Sequence, residues 1–369
     1  MTLDDLETPT PLVDLDRMER NLDRMAAYAT DHGLALRPHI KTHKTPWLAA
    51  EQIRRGASGV TCATPREAEV MSEVADDVLL AYPAIASKAR RVAGLPGSVR
   101  LTVALDSARA ADDLADAARE TGRRAAVFVE CDMGMRRVGV QTAQDAIDLV
   151  RRVARRRELE YAGIAFYPGH IREPLDRQDE ALRTLSQRLE AMLIALRQAG
   201  FDAPVVSGGS TPTAWRTHEI PGVTEMRPGT YIYNDRTTAA IGACATDDCA
   251  LTVLATVVST AVPGQAVVDA GSKSLGREPL RGTEGEGFGT LLDHPEVIVR
   301  GMSEEHGLLD LSNTQWRPAV GDRVRVVPNH ACIVVHLFDF MHGVRGGSIE
   351  TTWPVAARGR AAPTAAQLV

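Results

Sequence analysis

The sequence has no apolar run of the roughly 18–20 residues that a membrane-spanning helix needs. Its first ten residues, MTLDDLETPT, are acidic and have no apolar core, so we expect no export signal. Cysteine is scarce and odd in number, which is not typical of a disulfide framework and favours a reducing cytoplasm. The five cysteines are Cys62, Cys131, Cys244, Cys249 and Cys332.

An excess of positive charge is also absent. The 42 lysine and arginine residues are outnumbered by 48 aspartate and glutamate residues, which gives a net charge of −6. This charge argues against a general nucleic-acid binder, since such proteins are usually basic. At 369 residues, of which 44% are hydrophobic and 24% charged, the chain is too long for one ordinary core. We therefore predict a two-domain globular enzyme that acts on a small molecule, with neither nucleic acid nor a membrane as partner.

Up to about residue 240, short apolar runs alternate with longer amphipathic segments. The segment 177–199 is the clearest helix, because its leucines recur at helical spacing. Eight strands in βα alternation are what a (β/α)8 barrel of the TIM type requires, and we predict one over residues 12–240. An open doubly wound sheet is the alternative, although no Gly-x-Gly-x-x-Gly follows the first strand. The candidate strands are 34–39, 58–62, 77–81, 99–105, 125–130, 161–166, 204–207 and 230–233.

From about residue 245 the pattern changes to apolar runs separated by Gly, Pro and Asp turns, with no convincing helix between them. The candidate strands are 251–262, 265–270, 296–301, 323–327, 332–338 and 347–353. These predict a mostly β carboxy-terminal domain over 241–369, which we expect residues 1–11 to join.

The segment RPHIKTHK at residues 37–44 is the densest group of reactive side chains. As the end of a strand, it would place Arg37, His39 and Lys41 on one side. Neighbouring positive charge and burial would favour the neutral amine of Lys41, which is a nucleophile suited to forming an imine with an aldehyde. A phosphate-binding patch is the alternative, and the acidic balance of the chain weakens it. Lys273 is a second candidate, ranked lower because it lies in the predicted β domain.

Polar residues follow several predicted strands, where the chemistry of a (β/α)8 barrel lies. The segment SGGST at 207–211 has two glycines that free backbone N–H groups to bind a phosphate, and a helix start is expected at 211–212. Taken alone, the segment also fits a simple turn. The residues at these strand ends are Lys41, Asp106, Glu130, Asp132, Arg137, Tyr167, His170, Ser207, Gly208, Gly209, Ser210, Thr211, Gly229, Thr230 and Tyr231.

The segment PNHAC at 328–332 is a candidate metal site. On a strand, His330 and Cys332 would face the same way, and imidazole with thiolate favours Zn²⁺ over Mg²⁺ or Ca²⁺. Two protein ligands leave positions for water or substrate, as in a catalytic site. The alternative is a half-buried strand with an ordinary cysteine.

These motifs together resemble a known family. RPHIKTHK, ECDMGMRRVGV (130–140), FYPGH (166–170), SGGST, RPGTYIYND (227–235), DAGSKS (269–274), EEHG (304–307) and PNHAC are similar to those of the D-threonine aldolase and D-serine dehydratase group. Members are pyridoxal-phosphate enzymes of the alanine-racemase-like fold, called fold type III. The resemblance implies an amino-terminal (β/α)8 barrel, a carboxy-terminal β domain and a homodimer.

The resemblance also implies roles for individual residues. Lys41 would bind the aldehyde of pyridoxal 5'-phosphate covalently, Arg137 would lie near the cofactor ring, and Tyr167 would approach it. Ser207, Gly208, Gly209, Ser210 and Thr211 would hold the phosphate together with Tyr231. His330 and Cys332 would hold a divalent metal, zinc or manganese. His170 is the candidate base, with a metal-bound hydroxide as the alternative.

Position 332 is where this chain departs from some relatives. Bacterial D-threonine aldolases can carry an aspartate there and prefer manganese, whereas the cysteine resembles that of the zinc-dependent eukaryotic D-serine dehydratases. We expect a lyase for D-β-hydroxy-α-amino acids, foremost a D-threonine aldolase that yields glycine and an aldehyde. The alternative is a D-serine or D-3-hydroxyaspartate dehydratase that yields a keto acid and ammonia. A third alternative is an amino-acid racemase, but it has no need of a metal, so His330 and Cys332 count against it. A barrel-type pyridoxal-phosphate carrier would lack a second domain, so residues 245–369 argue against that class.

Overall fold

The computed structural model describes residues 2–280 and 286–359, which form two compact units. The barrel unit comprises Met25–Ile171, Leu175–Gly229 and the described residues from Ala356. The β unit comprises the described residues up to Arg24, Arg172–Pro174 and Thr230–Val355. Among the described residues, no helix has the length and apolar character needed to cross a membrane.

The sheet of the barrel unit has eight parallel strands whose spatial order follows their order along the chain. A parallel bridge between His39 and Thr61 joins its two edges, which closes the ring. The strands are Ala35–Leu36, Val60–Cys62, Asp77–Leu80, Arg100–Leu105, Ala125–Glu130, Leu159–Ala165, Val205–Gly208 and Glu225–Met226. The predicted TIM-type barrel is thus confirmed, and the carboxyl ends of its strands meet at one rim.

The predicted eighth strand at 230–233 is wrong. The strand is Glu225–Met226, and Thr230–Ile232 form a 3-10 turn. The Tyr-Ile-Tyr run has strong strand propensity, whereas the true strand begins with a charged residue. The Glu225 carboxylate is nevertheless buried. Nε of Arg37 donates to it at 2.7 Å, which offsets the cost of burying its charge. A buried ion pair therefore places this strand in the ring, and local propensity gives no sign of it.

Helices cover the outside of the ring and bury their apolar faces against it. In Asp179–Gln198 the buried residues recur at helical spacing, as predicted. The hydroxyls of Thr64, Ser107 and Thr142 cap three other helices by accepting a backbone N–H. The helices of this unit are Pro46–Arg54, Pro65–Met71, Ser87–Ala93, Ala108–Glu120, Ala143–Ala154 and Asp179–Gln198. The helix Leu15–Asp31 follows the first strand of the chain.

The β unit contains a nine-stranded sheet. Its strands are Thr10–Asp14, Leu251–Ser259, Gln265–Val268, Gly289–Leu291, Val299–Met302, Gly307–Asp310, Arg323–Pro328, Phe340–Arg345 and Ser348–Pro354. The amino-terminal strand pairs with Leu251–Ser259 and with Phe340–Arg345, which explains how the start of the chain belongs to this unit. The unit also has the short helices Arg236–Ala240, Ser272–Leu275 and Ala331–Leu337.

The predicted strand at 332–338 is wrong, because these residues lie mostly in the helix Ala331–Leu337. The run ACIVVHL is apolar and β-branched, which favours a strand on composition. Its buried residues, however, are Ala331, Val334 and Val335, at the i, i+3, i+4 spacing of a helix face. The expectation that no helix interrupts this domain is therefore also wrong.

Buried His43 should make the stability of the barrel unit depend on pH. Its Nδ1 accepts from the backbone N–H of Thr45 at 3.1 Å, and its Nε2 lies 3.1 Å from Oε1 of Gln52, so the ring is neutral. Burial lowers the pKa of His43 from 6.5 to about 4. Between these values the unfolded chain binds the proton and the folded one does not, so stability falls as the pH falls. The loss should be on the order of 3 kcal/mol.

Thermal unfolding between pH 6.5 and 4 measures this effect. We expect a shallower dependence of Tm on pH in His43→Asn than in the wild type. His306→Asn, which replaces an exposed histidine, should keep the wild-type slope. An unchanged slope in His43→Asn would show that other groups control the acid sensitivity.

Candidate active site

A cavity of about 290 Å³ lies in the barrel unit around the residues that follow its strands. Its size suits a small organic molecule. The cavity is lined by His39, Lys41, Ala63, Ala81, Tyr82, Pro83, Glu130, Arg137, Val138, Tyr167, Gly209 and Arg227. Of the residues singled out in the sequence, the structure thus brings together six, which are His39, Lys41, Glu130, Arg137, Tyr167 and Gly209.

Lys41 lies in a 3-10 turn, Ile40–Thr42, after the first barrel strand. Its Nζ is 5.6 Å from the centroid of the Tyr167 ring, and Cζ of Arg137 is 4.9 Å from the same centroid. An aromatic ring attracts cations at such distances, so Tyr167 fixes both positive groups in the cavity wall. The amine is therefore held where a small aldehyde could reach it.

Arg37 does not share this position, although alternation predicts it on the side of His39 and Lys41. Its guanidinium is buried between two carboxylates, with Nη1 2.6 Å from Oδ1 of Asp77 and Nε 2.7 Å from Oε2 of Glu225. The chain leaves strand geometry after Leu36, so alternation no longer applies. Arg37 therefore stabilises the ring of strands.

Three side chains to which the sequence analysis gives no role also line the cavity, namely His39, Glu130 and Arg227. Burial, then the charges of Lys41 and Arg227, hold the pKa of His39 well below its usual value. Burial raises the pKa of Glu130, against the effect of Arg227 and Arg137. The cavity thus holds a neutral imidazole, several cations and one buried carboxyl group. For His39 and Glu130, the sequence signal that could have indicated a place in the site is their position at the end of a strand.

Two of these side chains have buried nitrogen atoms without a hydrogen-bond partner within the described chain. They are Nδ1 of His39 and Nε of Arg227. Unpaired buried polar atoms cost free energy, so their presence at a cavity indicates a polar occupant. A lysine amine, an aromatic wall and unsatisfied nitrogens together fit an aldehyde-bearing, hydrogen-bonding cofactor such as pyridoxal phosphate.

The glycine loop brings backbone to the same cavity. Gly209 lines it and has φ of +89°, a conformation that favours glycine. A Cβ on Gly208 would lie 2.2 Å from the Phe166 ring, so no side chain fits there. The helix expected at 211–212 is instead a 3-10 segment that begins at Ala214. The loop thus approaches the cavity through its backbone.

The hydroxyl groups of this loop have partners in the protein. Oγ of Ser207 donates to Glu225 at 2.6 Å, and Oγ of Ser210 lies 3.1 Å from Oγ1 of Thr213. Oγ1 of Thr211 accepts from a backbone N–H at 3.3 Å. These contacts fix the loop, and the role of its residues in phosphate binding stays a prediction. Tyr231 is buried in the β unit.

His170 lies beside the loop that follows the fifth barrel strand. A Cβ on Gly134 would come 2.8 Å from Nε2 of His170, so the glycine makes room for the ring. Oδ1 of Asp132 accepts from the backbone N–H of Gly134 at 2.9 Å and fixes that loop. His170 is exposed and is not among the residues that line the cavity. Its role as a base stays a prediction.

Lys273 has a different environment from Lys41. It is exposed on the β unit, and its Nζ lies 2.9 Å from carboxylate oxygens of both Glu304 and Glu305. Hydrogen bonds to these two side chains raise the pKa of Lys273. Lys41 lines the cavity, whereas Lys273 is exposed and ion-paired with two carboxylates, so the structure favours Lys41 as the imine-forming lysine.

His330 and Cys332 do not lie on a strand, which corrects the alternation argument for them. The strand Arg323–Pro328 ends earlier, His330 is the residue before the helix Ala331–Leu337, and Cys332 is in its first turn. The two side chains are nevertheless hydrogen-bonding partners. Oε2 of Glu278 lies 2.5 Å from Nδ1 of His330. Imidazole and thiol in contact, with a carboxylate behind the imidazole, fit a divalent metal.

Within residues 2–280 and 286–359, no three or more His, Cys, Asp or Glu side chains converge as a metal site. That water or substrate would complete the coordination of a cation at His330 and Cys332 stays a prediction from the sequence.

Comparison with known proteins identifies the two parts of the chain. Residues 13–237 match the family model "Alanine racemase, N-terminal domain". Residues 250–344 match the model "Putative serine dehydratase domain".

The relatives are named as enzymes of D-amino acid chemistry. The D-threo-3-hydroxyaspartate dehydratase of Delftia sp. (strain HT23) is 36% identical over 95% of this chain and 98% of its own. The 3-hydroxy-D-aspartate aldolase of Paracoccus denitrificans (strain Pd 1222) is 31% identical over 96% of this chain and 93% of its own. The crystal structure of D-threonine aldolase from Filomicrobium marinum has a TM-score of 0.89 and 32% identity, covering 97% of both chains. A mutant of a D-threo-3-hydroxyaspartate dehydratase solved in the metal-free form has a TM-score of 0.83 and 34% identity, covering 98% of this chain and 100% of its own.

Proposed function

Because the chain belongs to the D-threonine aldolase and D-serine dehydratase family of alanine-racemase-like pyridoxal-phosphate enzymes, we propose that it cleaves D-β-hydroxy-α-amino acids. It is a lyase of that family. The first candidate reaction is a retro-aldol cleavage to glycine and an aldehyde. The observation that carries the proposal is Lys41 in the barrel cavity with Tyr167 and Arg137.

The residues that would hold the cofactor are Lys41, Arg137, Tyr167, the 207–211 loop and Tyr231. Bound pyridoxal phosphate supplies an electron sink for the bond that breaks at the substrate Cα. Lys41 would provide the covalent attachment, and in the dehydratase reaction its freed amine would also accept the proton from Cα. Arg137 and Arg227 line the cavity, so their positive charges would attract the anionic groups of the cofactor and the substrate. The neutral His39 beside them adds no further positive charge.

The base for the aldolase reaction is proposed to be His170, which would accept the proton of the substrate β-hydroxyl. Its place beside the loop after the fifth barrel strand supports this assignment. Removing a general base typically lowers the rate about 10²- to 10⁴-fold.

His330 and Cys332 are proposed to hold a divalent metal. Such a metal supplies a Lewis acid for a substrate oxygen. The thiolate favours zinc over harder cations, with manganese as the alternative.

We further propose a cytoplasmic homodimer, for which light scattering should give about twice the chain mass of 39.8 kDa.

A dehydratase is the second candidate. Two observations favour it, namely the cysteine at position 332, which would be a soft ligand, and the 36% identity to a D-threo-3-hydroxyaspartate dehydratase. Both reactions start from the same substrate class and differ in which bond at Cα breaks. In the dehydratase, Lys41 would remove the Cα proton, and His330 with Cys332 would hold the metal, which would supply a Lewis acid for the hydroxyl oxygen.

Product analysis distinguishes the two reactions. The purified protein is incubated with D-threonine, D-serine and D-3-hydroxyaspartate, with their L-enantiomers as controls, with and without a chelator. Glycine plus an aldehyde supports the aldolase, and a keto acid plus ammonia supports the dehydratase. If none of the D-substrates is consumed while the cofactor is bound, the proposed substrate class is wrong.

A further inference from the structure

We propose that Glu278 is a positioning residue for the metal: its carboxylate accepts the Nδ1 proton of His330 and leaves the Nε2 lone pair for the cation. This inference rests on the proposed metal role of His330 and Cys332. Glu278 lies 52 positions before His330, in a segment without a recognisable motif.

The contact between the two side chains determines the tautomer of the imidazole. Oε2 of Glu278 lies 2.5 Å from Nδ1 of His330. A carboxylate accepts hydrogen bonds, so Nδ1 must carry the proton in a neutral ring. The other nitrogen then has the lone pair that a metal needs. Without the carboxylate, the ring could adopt either tautomer and rotate.

The backbone on both sides of this contact is tied together. Nδ2 of Asn329 donates to the carbonyl oxygen of Glu278 at 3.1 Å and to that of Gly287 at 2.9 Å. On the other side of His330, the backbone N–H of Ala331 donates to Oδ2 of the buried Asp235 at 3.0 Å. The side-chain pair is therefore held at two points, which limits the freedom of both residues.

A carboxylate in this position should also strengthen the ligand. Its negative charge makes the imidazole more basic and partly balances a bound cation. Loss of such a supporting partner typically weakens metal binding 10- to 100-fold. Glutamine at this position would keep an oxygen that accepts the Nδ1 proton but would lose the charge.

The test compares Zn²⁺ affinity in Glu278→Ala and Glu278→Gln with the wild type, by competition with a chromophoric chelator. We expect Glu278→Ala to bind about 10- to 100-fold more weakly, and Glu278→Gln to show a smaller loss. After substitution with Co²⁺, the thiolate charge-transfer band should persist in both variants, because Cys332 remains. Glu296→Ala is the matched control, since Oε1 of Glu296 lies 3.7 Å from Nδ1 of His294 in a second Glu–His pair of the β unit.

The outcomes separate the inference from the proposed function. Equal Zn²⁺ affinity in the wild type and both Glu278 variants overturns the positioning role alone. Equal affinity in the wild type and His330→Ala overturns the proposed metal site itself. The Tm of the metal-free variants should match that of the wild type, and if Glu278→Ala fails to fold, Glu278→Gln carries the test.

Discussion

Replacing Lys41 with alanine should lower turnover by at least about a thousand-fold and remove the visible absorbance of the bound cofactor. Lys41 is the lysine of the cavity lining, beside Tyr167 and Arg137. Lys41→Arg tests whether positive charge at this position is sufficient, because arginine keeps the charge but cannot form the imine with the cofactor aldehyde. We expect both variants to be inactive.

Lys273→Ala is the matched control for this experiment. Lys273 is exposed and ion-paired with Glu304 and Glu305, so its loss should leave absorbance and turnover unchanged. Borohydride reduction of the wild type followed by peptide mass spectrometry should place the cofactor adduct on the peptide that contains Lys41. An adduct on any other peptide, or none at all, would overturn the assignment and the proposed function with it.

The barrel could be predicted from the sequence because its signal is local and repeated. Each strand is a short apolar run followed by an amphipathic helix, so errors in single elements leave the count of eight intact. The error at the eighth strand arose where a tertiary contact outweighs propensity. Glu225 is acceptable inside the ring only because Arg37 and Ser207 contact its carboxylate, and these residues lie 188 and 18 positions away.

The candidate site was predictable only in part, for a similar reason. Lys41, Arg137 and Tyr167 stand in motifs that follow strands, so the barrel topology alone brings them to one rim. Nothing in the local sequence shows that Arg37 turns to Asp77 while His39 lines the cavity. The pairing of Glu278 with His330 depends on how loops of the β unit pack. Periodicity describes single elements and carries no information about contacts between distant segments.

Removing either proposed metal ligand should have the second large effect. In His330→Ala or Cys332→Ala, we expect metal affinity to fall by at least about a hundred-fold, because a lost ligand should cost more than a lost supporting contact. Metal content by mass spectrometry and turnover with D-3-hydroxyaspartate should fall together. Cys244→Ser is the thiol control, since Cys244 is partly exposed like Cys332 and its Sγ donates to Oγ1 of Thr238 at 3.5 Å.

The identity of the metal can be tested at the same position. In Cys332→Asp, a hard carboxylate replaces the soft thiolate, so preference should shift from Zn²⁺ toward Mn²⁺. Because the helix Ala331–Leu337 and the contact from Glu278 to His330 are retained, this variant changes ligand chemistry with little change of backbone. Measured Zn²⁺ and Mn²⁺ affinities, compared as a ratio, report the shift independently of turnover. An unchanged ratio would mean that Cys332 does not bind the metal, and the cation would then have to be sought at other side chains.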